Sequence, residues 1–121
     1  MSERLGCRST AQQPGRVECR ARKDTVDAAR KLRRSIDGLT RVVAIELMTA
    51  TRGLALRTTT GETAGSSPAP ATGAVVRLLQ QHGVGAPGPD RFLSPEIETA
   101  VELVASGAVL SAVEAEIGEL A

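Results

Sequence analysis

Large packing groups are almost missing from this 121-residue chain, which has one phenylalanine (Phe92) and neither tryptophan nor tyrosine. That excludes an aromatic-lined pocket and base stacking on side-chain rings. Asparagine is absent as well, which excludes N-linked glycosylation. A single histidine, His82, leaves no histidine pair for a zinc site. No run approaches the roughly 20 apolar residues that span a bilayer, so no membrane partner is expected. The opening MSERLGCRSTAQQ has no apolar run of the kind a secretory leader needs. With two cysteines, Cys7 and Cys19, in a chain read as cytoplasmic, reduced bystander thiols are expected rather than a disulfide or a metal site.

What is present is alanine, valine and leucine, which suit helices that approach closely. The length suits one domain, able to bury roughly 65–70% of its unfolded surface. The net charge of +1 hides an asymmetry. Residues 1–57 carry 13 basic and 6 acidic groups, a net of +7, whereas residues 90–121 carry one basic and seven acidic groups, a net of −6. Such halves attract each other, within one chain or across subunits.

The longest patterned stretch runs from Val26 to Arg57 without a proline. Ala29, Leu32, Ile36, Leu39, Val43, Leu47, Ala50 and Leu54 recur at steps of three and four, one stripe of an α-helix. The opposite side carries Arg30, Arg34, Asp37, Arg41 and Arg52. The rod would be roughly 46 Å long, and its VVAIELM section, 42–48, is apolar nearly all round. A helix apolar on every side is one that other helices surround. The reading is therefore helix–helix association with other chains or with itself.

Residues 1–23 lack apolar periodicity and read as a disordered tail. Asp24 or Thr25 then caps a long helix over about 25–57. TTTGETAGSSPAPAT, 58–72, is loop by composition. Thr72 caps a short helix over 73–82, and GVGAPGPD forms a connector. Ser94, Pro95 and Glu96 make a cap, a first-turn proline and an acid beside the dipole, opening a helix over 95–106. A last helix covers 108–120, with Leu110, Val113, Ile117 and Leu120 facing inward. With no strand-like alternation, the fold class is all-α: one long central helix followed by three shorter ones.

AARKLRR (28–34) and LTRVVAIELMTATRGLALR (39–57), followed in order by PATGAVVRLL, DRFLSPEIETAVELVASGAVLSAVEAEIG and GELA, resemble the C-terminal helical region of histidine ammonia-lyases. The resemblance covers residues 28–121 here and only the end of the longer family sequence. It implies an oligomeric all-α lyase that eliminates ammonia from L-histidine to give urocanate. The family's electrophile is methylideneimidazolone, formed from an Ala-Ser-Gly in an upstream Gly-rich loop that this chain lacks. The family's Gln-Glu-Asp-His-type motif should fall just before residue 28, but the chain reads ECRARKDTVD there. Glu18 has none of that motif around it and inherits no role. An unrelated N-terminus on a family-like remainder suggests a frameshift, a truncation or a mispredicted start. The chain by itself is expected to be inactive, with no catalytic, cofactor-binding or metal residue assigned.

Five features are weighed against plainer readings. Ala105-Ser106-Gly107 matches the cofactor tripeptide but lies in the late helical segment, so a helix junction is expected. Gly83-Val84-Gly85-Ala86-Pro87-Gly88 satisfies a dinucleotide fingerprint without the preceding strand or the following helix start that the mechanism needs. RKLRR, 30–34, has the charge to neutralise phosphates but no aromatic neighbour. A solvated or inter-subunit face is expected there, with a small basic nucleic-acid-binding module as the alternative. His82 sits at a helix C-terminus, where the dipole favours it. Glu96, Glu98, Glu102, Glu114, Glu116 and Glu119 read as solvated helix faces. A further alternative is a structural subunit docking on a separately encoded lyase half.

Overall fold

A computed structural model describes residues 15–60 and 65–120, and side chains from residue 20 onward. Among the described residues there are four helices and no strand: α1 (Gly15–Thr59), α2 (Pro70–Gln81), α3 (Ser94–Ala105) and α4 (Ala108–Ile117). The all-α reading, with one long helix followed by three shorter ones, holds. The chain divides into two compact units, residues 1–37 and 38–121.

In the first unit the described residues form one helical stretch that begins at Gly15. The expected tail is therefore helical over 15–23, while its residues 1–14 lie outside the described residues. Arg, Glu, Ala and Lys are good helix formers, and no proline occurs between Gly15 and Pro68. The missing apolar periodicity signals a missing core, not a missing helix. Thr25 does not cap; its hydroxyl donates to the Ala21 carbonyl at 2.8 Å, inside the helix. From residue 20 to residue 37 every side chain is exposed except the half-buried Asp27. Two exposed pairs, Arg30–Asp27 at 3.6 Å and Arg33–Asp37 at 4.0 Å, contribute only tenths of a kcal/mol.

The second unit holds the core: Ala44 and Met48 from α1, Leu79 from α2, Val84 from the connector, and Ala100 and Leu103 from α3. Leu47, Val75, Ile97, Val104 and Val109 close around it. Ala44 of α1 and Ala100 of α3 are both fully buried in this core. The buried face of α1 is Ala44, Met48 and Thr51, one residue round the wheel from the expected stripe. Val43, Leu47 and Leu54 are half-buried, and Leu39 and Ala50 face solvent. Helical spacing gives the period of a stripe, but the neighbours decide which of two adjacent stripes they cover.

The remaining boundaries shift for local reasons. Pro70 opens α2 from Ala69, with no side-chain cap; a first-turn proline has no amide to satisfy. Thr72 lies inside that helix. Leu93, not Ser94, flanks α3 and again gives no side-chain cap; its carbonyl accepts the Ile97 amide at 3.0 Å. At the end of α2, Gly83 takes φ +74°. Its N–H donates to Gln80 at 3.0 Å and the Val84 N–H donates to Leu79 at 2.9 Å. This is a Schellman closure, whose apolar pair is Leu79 with Val84, both fully buried. α4 packs on α2 and α3 but stops at Ile117. Leu110, Ile117 and Leu120 are about half exposed, correcting the expectation that they face inward.

Candidate functional site

The densest polar cluster in the second unit surrounds Glu96, in the first turn of α3. The α2–α3 connector folds back over α1 so that Gly85, at φ +77°, lies against it. A Cβ at Gly85 would stand 2.9 Å from the Thr51 methyl and 3.0 Å from the Met48 carbonyl oxygen. The Gly85 N–H donates to Glu96 Oε2 at 3.0 Å, and Arg91 Nε donates to Glu96 Oε1 at 2.6 Å. Arg91 Nη2 reaches back to the Ala86 carbonyl at 2.8 Å. From α1, Arg52 Nη2 donates to the Gly88 carbonyl at 3.0 Å.

The Arg91 guanidinium holds the Glu96 carboxyl below the usual carboxylate range, against burial, which pushes it up. The Gly85 amide and the charge of Arg52 add to the lowering. With its side chain only 14% exposed, Glu96 is not the solvated face expected of it. Both oxygens carry a bond, so the cluster is built to fix a backbone rather than to move a proton. Glu98 is also paired: Arg41 donates to both its oxygens, at 2.7 and 3.2 Å, and lowers its pKa. Glu116 accepts from Arg77. Glu102 and Glu119 are exposed.

The tempting motifs take ordinary places. Ala105 ends α3, and Ser106 and Gly107 make the turn into α4, with the Ser106 hydroxyl donating to the Leu103 carbonyl at 3.3 Å. That is a helix junction. Gly83, Gly85 and Gly88 follow a helix, and the Gly85 amide is spent on Glu96. His82 is exposed at the end of α2, with Nδ1 2.9 Å from the Leu78 carbonyl. Arg30, Lys31, Arg33 and Arg34 are exposed. Cys7 and the side chains of Glu18 and Cys19 lie outside the described residues. Among the described residues no three His, Cys, Asp or Glu groups come together for a metal ion, and no helix is long and apolar enough to cross a membrane.

Sequence reading missed the Arg91–Glu96 clamp. Its signal was a first-turn glutamate five residues after an arginine, in a connector rich in Gly and Pro. Arg41–Glu98 has no local signal at 57 residues' separation.

Over 94 residues the chain is 49% identical to the histidine ammonia-lyases of Streptomyces avermitilis and Streptomyces griseus, and 40% identical to that of Symbiobacterium thermophilum. The match takes in 77–78% of this chain but 17–18% of those proteins. Over these residues the chain is similar to a segment of histidine ammonia-lyases. It spans under a fifth of the length of the curated relatives it matches. No family model and no solved structure matches it.

Proposed function

We propose that this chain is a C-terminal fragment of a histidine ammonia-lyase-like protein, cytoplasmic, inactive by itself, and contributing helical oligomer-core structure. The observation that carries the reading is the outward face of α1 in the second unit. Leu39, Val42, Ile45 and Leu56 are between 38% and 63% exposed there, on the side of the helix away from Ala44, Met48 and Thr51. A run of apolar side chains on one outward face is costly in water and marks a surface that another chain covers. The 94-residue likeness to lyases supports another piece of lyase, or a second copy, as that chain.

For the parent enzyme the reaction would be elimination of ammonia from L-histidine to give urocanate. The purified chain, incubated with L-histidine, is expected to release neither product; urocanate formation would overturn the reading. Docking on a separately encoded lyase half is favoured by the same face. Co-expression with an ammonia-lyase lacking this region should then give a co-purifying complex. Failure of the two chains to associate would limit the fragment to self-association.

A further inference from the structure

The connector between α2 and α3 has little apolar attachment for its length. Val84 and Gly85 are buried, whereas residues 86–90 are exposed throughout. Beyond Gly85 the backbone is tied down by polar bonds: Ala86 to Arg91, and Gly88 to Arg52. Glu96 governs most of this. It accepts the Gly85 amide itself and orients the Arg91 guanidinium that returns to Ala86. Just before it, Gly83 has open space where a Cβ would stand, room for a pivot. Against Gly85 lie the Thr51 side chain and the Met48 carbonyl oxygen, and Thr51 is only 2% exposed.

We propose that residues 85–91 are a releasable strap, locked over α1 by the Glu96 carboxylate, whose opening bares Thr51 and the Met48 carbonyl while the helical core stays folded. The strap has two states because its attachment is concentrated in one group. Bonds to an ionised carboxylate are the stronger kind. Removing the charge weakens the Gly85 and Arg91 ties together, and Leu79, Ala100 and Leu103 keep their places. The charges facing Glu96 are Arg91 from the connector and Arg52 from α1. Neutralising the carboxylate therefore leaves two cations without their counter-ion, which favours the open strap.

The test is amide hydrogen exchange by NMR on the full chain. Glu96→Ala is expected to lower the protection of the Gly85 amide at least about tenfold. It should leave the interior amides of α3 unchanged. Glu96→Gln keeps an acceptor without the charge and should fall between. Acidifying the wild-type chain through the Glu96 titration should reproduce the loss of Gly85 protection before the α3 amides respond. This series decides the matter even where a variant does not fold. Gly85 exchanging only together with the α3 interior, or keeping its protection in Glu96→Ala, would overturn the proposal.

Discussion

Adding one carbon at Gly85 tests the packing of the connector on α1 most directly, because the same addition two residues away is a built-in control. Gly83 and Gly85 both take left-handed backbone, at φ +74° and +77°. An L side chain there costs about 1–2 kcal/mol. At Gly83 nothing lies within 4 Å of the added atom, so Gly83→Ala should cost that strain alone. At Gly85 the new methyl meets the Thr51 methyl at 2.9 Å and the Met48 carbonyl at 3.0 Å. The carbonyl belongs to a helix backbone and cannot swing aside. Overpacking of this kind adds about 1–3 kcal/mol, for a total of about 2–5 kcal/mol. Against a domain stability of about 5–15 kcal/mol that is a large fraction. For a unit of this size 1 kcal/mol moves the melting temperature by about 4–8 °C. Thermal denaturation followed by circular dichroism should therefore place Gly85→Ala at least about 5 °C below Gly83→Ala. Equal melting temperatures would refute the close approach of the connector to α1. A neutral Gly83→Ala would refute the backbone argument.

The other expectations are independent of that pair. Leu79→Ala, at a fully buried site shared by the core and the Schellman closure, should cost about 2–5 kcal/mol in urea denaturation. Glu96 has a lowered folded pKa, so its stabilisation is present above the unfolded carboxylate pKa and is lost as pH falls through the folded value. Midpoints of urea unfolding should accordingly drop from neutral pH toward pH 3, with a smaller drop in Glu96→Gln. Arg41→Gln removes an ion pair whose partners are both about half exposed; water screens such a pair, and the melting temperature should barely move. Leu39→Ser with Val42→Ser should change monomer stability by no more than about 0.5 kcal/mol each. Sedimentation should nonetheless show a smaller assembly than wild type, and an unchanged mass would count against α1's outward face as the joining surface.

Much of the architecture is readable from local chemistry. The proline at 95 marks a helix start, Gly83 and Gly107 mark helix ends, and the run of aliphatic residues at steps of three and four marks α1. These signals act within a turn or two of chain, which is why they survive without knowledge of the fold. Phase on the helix wheel is another matter. Leu39, Val43 and Leu47 pattern as well as Ala44, Met48 and Thr51, and only the arrival of Leu79, Val84 and Ala100 decides between them. Thr51 is polar by type and would not be nominated for a core, yet it is buried beneath Gly85. The clamp at Glu96 was hidden for a related reason. A first-turn glutamate is ordinary, and its role comes from a connector that turns back through two left-handed glycines. The likeness to histidine ammonia-lyases, in contrast, was legible over most of the chain, because it rests on ordered sequence rather than on contacts.

The uneven support along α1 has a consequence for cleavage. Arg20, Arg22, Lys23, Arg30, Lys31, Arg33 and Arg34 all lie in a helical stretch whose side chains are exposed and which no core backs. A helix without tertiary backing frays and reforms continually. Each opening there presents a trypsin site. Past Gly38 the basic residues are fewer, and Arg41, Arg77 and Arg91 are tied to carboxylates. A brief digestion should nibble the chain inward from its basic end and stall at the second unit, so the protease would draw the same line between framework and handle that the packing does.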